Sequence, residues 1–144
     1  MESGLKEKVV CITGASGGIG RALAQCFAQE GARLVLCAYS QLDGLSEWVA
    51  AQKWSERALL AKVDVRQPRE LKEVHAQACK RWGRVDVCVA NAGIWPEESL
   101  PLHEMGEERI LHTVDVDLLG ATWTARAFLG SLAQCGPRED GHGA

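Results

Sequence analysis

The chain of 144 residues has a single tyrosine, Tyr39, and only a small excess of negative charge, with 16 Lys and Arg against 19 Asp and Glu. It lacks the basic stripe of nucleic-acid-binding proteins and of polybasic membrane-binding ones, so we expect neither as a partner. No apolar run approaches the roughly 18 residues of a membrane span, and residues 1–8 lack a signal-peptide core. We therefore expect a cytoplasmic protein.

The cysteines and histidines also lack a recognisable pattern. No Cys-x-x-Cys pair occurs among the six cysteines, and the four histidines are scattered singly. This spacing is not that of a usual zinc site, and we predict no metal. Most of the cysteines lie in apolar-periodic segments, where a reduced thiol packs as a small hydrophobic residue.

What is present is a regular alternation of short apolar runs and longer segments with helical periodicity. The strand-length runs are Lys8–Thr13, Arg33–Ala38, Ala58–Val65 and Val85–Ala90. Strands that are apolar on both faces and alternate with helices indicate a parallel sheet covered on both sides. We predict an α/β fold, a doubly wound Rossmann-like parallel sheet of about four strands with flanking helices.

The end of the chain makes this predicted fold incomplete. Residues 105–134 have helical character, with a break near the start of the segment left open, and Gly136 and Pro137 then stop the helix. No return strand follows, so we expect the fourth strand to lie at a sheet edge. We predict one domain over residues 1–135 and a polar, glycine-rich tail over residues 136–144.

A glycine-rich turn, TGASGGIG over residues 13–20, joins the first predicted strand to the first helix. Gly14, Gly18 and Gly20 can there take positive φ, let a pyrophosphate approach the backbone and let the helix pack closely. The helix N-terminus offers unpaired N–H groups and a positive partial charge. Such turns also occur for purely structural reasons, but the strand–turn–helix context favours nucleotide binding.

The spacing TGxxxGxG resembles the short-chain dehydrogenase/reductase family, and three further motifs do so over residues 6–135. They are Asp64–Val65 after the third strand, ANAG over residues 90–93, and VDLLG over residues 116–120. The resemblance implies the amino-terminal, dinucleotide-binding half of an NAD(P)-dependent oxidoreductase that reduces carbonyls or oxidises alcohols.

The same resemblance implies site residues. Asp64 and Val65 correspond to the adenine-contacting pair, with a local strand-end cap as the alternative for Asp64. Asn91 corresponds to a residue that steadies the central sheet, and Gly93 allows close cofactor approach. The predicted cofactor-binding residues are Gly14, Ser16, Gly17, Gly18, Ile19, Gly20, Tyr39, Ser40, Asp64, Val65, Asn91, Ala92 and Gly93.

The end of the second strand bears on the choice of cofactor. It reads Ala38, Tyr39, Ser40 and has no acid to bind the ribose 2′-OH of NAD or repel the 2′-phosphate of NADP. NADP-preferring family members often have a basic residue at the positions of Tyr39 or Gly17, and neither is basic here. The missing acid favours NADP(H) over NAD(H), with Ser40 as a candidate 2′-phosphate partner. Tyr39 can also stack beside adenine or cover the sheet edge.

Asp117 departs from the family, which has a proton-relay asparagine at this position. An ionised carboxylate accepts hydrogen bonds but donates none, so the amide's pattern is not reproduced. Asp117 shares a helical stripe with Ile110, Val114 and Ala121, which predicts partial burial. It is either a rewired relay position or a polar residue near solvent.

The family's catalytic serine and its Tyr-x-x-x-Lys pair have no counterpart in these residues. The single tyrosine, Tyr39, is followed four positions later by Asp43 and not by lysine. Hydride transfer to a carbonyl needs such a proton donor. We therefore expect the chain to be truncated before the catalytic residues and inactive alone. One alternative is a non-catalytic truncated isoform that binds a nucleotide, or that associates with itself or with a full-length homologue through the helix of residues 105–134. The other alternative is an incomplete product without stable function.

Overall fold

The computed structural model describes residues 3–95 and 100–136. Its strands are β1 (Val9–Ile12), β2 (Arg33–Ala38), β3 (Ala58–Lys62) and β4 (Val87–Val89). Its α-helices are α1 (Gly18–Gln29), α2 (Leu42–Ala50), α3 (Pro68–Trp82), α4 (Glu107–Thr113) and α5 (Ala121–Cys135). A π-helical segment, Val114–Gly120, joins α4 to α5, and short 3₁₀ turns occur at Ser55–Arg57 and Leu102–Glu104.

The strands form one parallel sheet in the order β3-β2-β1-β4. In the register, Val10 of β1 lies beside Leu34 of β2 and Val87 of β4. The prediction of an α/β fold with a four-stranded parallel Rossmann-like sheet is confirmed. Within the described residues β4 lies at a sheet edge, as predicted, and it is shorter than the run that predicted it.

Both faces of the sheet are covered, because successive residues of a strand point to opposite faces. Val10 and Ile12 pack on the side of α1 and α2, in a core of aliphatic and aromatic side chains. Val9 and Cys11 pack on the side of α3 and α5. All four residues of β1 are buried, which explains its continuous apolar sequence.

The segment predicted to be helical over residues 105–134 is interrupted, and the interruption lies directly after its first helix, α4. In the π-helical segment the backbone bonds from i to i+5 rather than i+4, which shifts the residues that face the core. Val116 and Gly120 are buried, whereas Asp117 is exposed. The expectation that Asp117 is partly buried is therefore wrong, because the 3.6-residue stripe on which it rested does not pass through the π-helical segment.

The predicted tail of residues 136–144 lies outside the described residues except for Gly136. Gly136 follows α5 with a φ of 69°, and its carbonyl oxygen accepts a hydrogen bond from Arg84 Nη1 at 3.0 Å. Among the helices of residues 3–95 and 100–136, none is long and apolar enough to cross a membrane.

Candidate functional site

A cavity of about 470 Å³ opens at the carboxyl ends of the strands. In open parallel sheets ligands bind at this edge, where the strand order reverses. Here the reversal falls between β1 and β4. The cavity brings together every residue predicted to bind a cofactor: Gly14, Ser16, Gly17, Gly18, Ile19, Gly20, Tyr39, Ser40, Asp64, Val65, Asn91, Ala92 and Gly93. It is also lined by Gln41, Val63, Arg66, Ile94, His112 and Val116.

The glycine-rich turn owes its shape to the absence of side chains. Gly14 has a φ of +66°, and a Cβ there would lie 2.8 Å from the Cα of Ala92. A Cβ on Gly20 would lie 2.3 Å from the carbonyl oxygen of Gly14. By contrast, a Cβ on Gly18 would meet no atom within 4 Å. The turn thus folds tightly against the loop after β4 on one side and leaves open space on the other.

Helix α1 begins in this open space. No side chain caps its first turn, and that turn carries no acidic residue. The unpaired N–H groups and the positive end of the helix dipole are therefore free to face an anion. Ile19, in the same turn, is 72% exposed at the cavity.

A small hydrogen-bond network fixes the turn to the end of β4. The Asn91 side-chain Nδ2 donates to the carbonyl oxygens of Thr13 and Gly14, at 2.9 and 3.2 Å. The hydroxyl of Thr13 accepts from the backbone N–H groups of Asn91 and Ala92, both at 3.1 Å. Asn91 therefore joins the two central loops of the site. Thr13, which is buried, was not among the predicted site residues.

Asp117 adjoins the other side of the same loop. Its Oδ1 accepts a hydrogen bond from the backbone N–H of Ile94 at 2.8 Å. It also lies 3.4 Å from the position of a Cβ on Gly93, which is van der Waals contact distance. The π-helical segment thereby places Asp117 as a hydrogen-bond acceptor for the loop after β4. Such segments often occur at functional sites.

The end of β2 and the loop after β3 form a charged corner of the cavity. Arg66 binds the carboxylate of Asp64 with two nitrogens, Nη2 to Oδ2 at 2.6 Å and Nε to Oδ1 at 2.9 Å. Its guanidinium carbon lies 5.6 Å from the centre of the Tyr39 ring. Its Nη1 lies 3.4 Å from Nδ1 of His112, which must accept because a guanidinium only donates.

Ion pairing shifts both pKa values in this corner. The hydrogen bond from Arg66 lowers the pKa of Asp64, and Asp64 in turn raises the pKa of Arg66. Both groups are thus charged at neutral pH. Oδ1 of Asp64 also accepts from the backbone N–H of Arg66, two residues on, which is the local cap considered as the alternative. The adenine contact of Asp64 stays a prediction.

The sequence reasoning missed Arg66, and no basic residue was assigned to the ribose end of the site. Arg66 directly follows the Asp64–Val65 motif, and this position next to a predicted site motif was the sequence signal that could have identified it. His112 had no such signal, since it lies on α4, 46 positions from Arg66.

The fold and the cavity define an open α/β domain with a crevice at the carboxyl ends of its strands. The family profile of short chain dehydrogenases matches residues 8–142. The chain belongs to this family. It is 37% identical over 130 residues to an uncharacterised oxidoreductase of Listeria monocytogenes, covering 89% of this chain and 51% of that protein.

Solved structures agree with this assignment. The chain superposes on a short-chain dehydrogenase of Brucella melitensis with a TM-score of 0.84 and 31% identity, covering 92% of this chain and 54% of the other. It superposes on a variant of ElxO solved with NADPH bound with a TM-score of 0.77 and 25% identity, covering 86% of this chain and 50% of the other. The chain spans about half the length of the curated relatives it matches.

Proposed function

We propose that the chain binds a nicotinamide dinucleotide, as the cofactor-binding portion of a short-chain oxidoreductase that interconverts carbonyls and alcohols. The observation that carries this proposal is the cavity itself. The glycine-rich turn, the uncapped N-terminus of α1, the loop held by Asn91 and the corner around Arg66 all line it.

The chemistry of the cavity suggests how the cofactor lies. The diphosphate would meet the turn at Gly18, where backbone N–H groups are accessible and no side chain intervenes. The adenosine would occupy the corner of Tyr39, Asp64 and Val65. The nicotinamide end would then extend past Gly93, toward the loop that Asp117 supports.

Arg66 supports a preference for NADP(H). A guanidinium at the ribose end can pair with a 2′-phosphate, and no acid at the end of β2 opposes it. The side chain of Arg66 is 31% exposed, so one face is accessible from the cavity. Ser40 lines the same corner as a second candidate phosphate partner. The NADPH-bound ElxO relative supports the same choice.

These residues alone are expected to bind cofactor without turnover. Neither a Tyr-x-x-x-Lys pair nor a serine at the expected place occurs among them. Asp117 occupies the relay position but lies against the loop of Ile94 as an acceptor, so it supplies no proton donor while it is ionised.

Ligand-induced stabilisation tests the binding proposal directly. NADPH at about 100 times its Kd should add about 2.7 kcal/mol to the free energy of unfolding of the 144-residue chain. NADH should stabilise it less at equal concentration. An unchanged melting temperature with both cofactors at millimolar concentration would contradict the proposal. A parallel assay with aldehydes and ketones should show no NADPH oxidation above background.

A second candidate function is association with another chain through the segment of residues 105–134. This segment exposes several large apolar side chains, those of Leu111, Val114, Leu118, Leu119 and Leu129. Exposed apolar surface of this kind often marks an interaction site. Sedimentation should show concentration-dependent association that Leu118→Ser together with Leu129→Ser reduces, whereas a monomer at all concentrations would argue against self-association.

A cytoplasmic location is part of the same proposal. All six cysteines are free thiols in the structure, which fits a reducing compartment. Non-reducing mass analysis of the protein isolated from cells after rapid thiol alkylation should find six alkylated cysteines per chain.

A further inference from the structure

Three side chains that commonly bind metal converge in the core beneath the cofactor cavity. Cys11 of β1 pairs directly with Cys88 of β4 in the sheet register, and His75 of α3 packs over them. The two Sγ atoms and a ring nitrogen of His75 all lie within 4.8 Å of one another. The three residues are far apart in sequence, so no local motif connects them.

His75 has one hydrogen bond and one nitrogen left over. Its Nδ1 lies 2.8 Å from the carbonyl oxygen of Leu71, which can only accept, so Nδ1 carries the proton. Nε2 is then the nitrogen with a free lone pair. His75 is only 2% exposed, and Nε2 has no hydrogen-bond partner among the described residues. Buried polar atoms rarely lack a partner, so this nitrogen requires an explanation.

The histidine is also oriented as metal-bound histidines usually are. A ligating imidazole typically donates its other N–H to a carbonyl or carboxylate, which fixes the ring and the tautomer. The bond from Nδ1 to Leu71 provides this support. We propose that Cys11, Cys88 and Nε2 of His75 form a binding site for a thiophilic divalent metal ion, Zn²⁺ in the first instance.

Charge balance favours a divalent ion over Cu(I). Two thiolates and a neutral imidazole around Zn²⁺ have no net charge, whereas Cu(I) would leave a negative charge in the core. Zn²⁺ accepts sulfur and nitrogen ligands in this ratio and takes a fourth ligand. Because Cys88 is only half-buried, water can supply that ligand.

Without metal the two cysteines are neutral thiols. Contact with Cys37 raises the pKa of Cys11 well above its usual value, and contact with Cys11 does the same for Cys88. Binding of one Zn²⁺ must therefore release two protons, one from each thiol, as two Zn–S bonds form. The bound ion would tie α3 to the central strand and to the edge strand β4.

Cobalt substitution of the reduced, metal-stripped 144-residue chain tests the site. One Co²⁺ per chain should bind with release of two protons and with thiolate-to-cobalt charge-transfer absorption, and Zn²⁺ should displace the Co²⁺ and abolish this absorption without further proton release. Saturating Zn²⁺ should also raise the melting temperature by about 10 °C. Absence of charge-transfer absorption in a chain that melts cooperatively would overturn the proposal.

Variants separate this site from other thiols. Cys88→Ser should abolish the charge-transfer absorption, and His75→Gln should weaken Co²⁺ binding by more than about tenfold. The matched control is Cys135→Ser, which removes a close thiol pair outside the proposed site, since the Sγ atoms of Cys79 and Cys135 are 3.8 Å apart. Absorption that survives in Cys88→Ser and disappears in Cys135→Ser would assign the metal to that pair and refute the proposal.

Discussion

The two ends of the cavity are built by different physical means. At the glycine-rich turn the geometry depends on missing side chains, because a Cβ on Gly20 would lie 2.3 Å from a carbonyl oxygen. At the corner around Arg66 it depends on charged side chains that remain partly exposed. Backbone crowding leaves no room for adjustment, whereas exposed charges rearrange and are screened by salt. The turn should therefore tolerate substitution far less than the corner.

The largest expected effect is that of Gly20→Ala. The new Cβ would overlap the backbone of Gly14 and Ala15, and we expect a loss of about 3 kcal/mol in the free energy of unfolding, measured by urea denaturation. Gly18→Ala is the matched control, since a Cβ there meets nothing within 4 Å and the change should stay within about 0.5 kcal/mol. Equal losses in the two variants would remove steric crowding as the explanation.

Asn91→Ala should have the next largest effect. It leaves the carbonyl oxygens of Thr13 and Gly14 without their side-chain donor, which should cost about 1–3 kcal/mol and weaken NADPH binding. Calorimetric titration and thermal unfolding measure the two consequences. Asn91→Asp keeps the shape but removes the donor, so a variant as stable as the original chain would show that packing, rather than hydrogen bonding, fixes the turn.

Arg66→Ala should change cofactor selectivity more than stability. Loss of a charged partner for the 2′-phosphate should weaken NADPH binding by about tenfold or more, with NADH binding nearly unchanged. Titrations with both cofactors at two salt concentrations measure this difference. Arg69→Ala is the control, because its side chain is 90% exposed and pairs with Glu73 on the helix surface. Equal weakening of NADPH and NADH would exclude Arg66 as the selectivity residue.

The smallest expected effect is the pH dependence of the ion pair between Asp64 and Arg66. Because folding lowers the pKa of Asp64, the contribution of the ion pair to the free energy of unfolding is fully present above the pKa of Asp64 in the unfolded chain, which is about 3.9. This contribution is lost as the pH falls through the lower pKa that Asp64 has in the folded protein. The difference in unfolding free energy between the wild type and Asp64→Asn should be at most about 1 kcal/mol at pH 7 and should shrink below about pH 4. A difference that grows with acidification would contradict this pairing.

Much of the fold was predictable because its signals are local. The strands and helices follow from apolar periodicity, and Pro68 and Gly83 stand at the ends of α3 where such residues are expected. The glycine spacing and the three further motifs identified residues that the structure brings into one cavity. The helical character predicted over residues 105–134 is present in α4 and α5, whereas the π-helical segment between them has no distinct sequence period.

The sequence by itself thus determined the alternation of strands and helices and the residues that meet at the carboxyl edge of the sheet. Only the tertiary structure decided that Asp117 is exposed and accepts a hydrogen bond from the loop of Ile94, and that Arg66 lies in a corner of the cavity. It also decided that Cys11, His75 and Cys88 meet in the core. The physical reason is that periodicity and motifs report the conformation of neighbours in sequence, whereas these placements depend on packing between elements that the sequence separates.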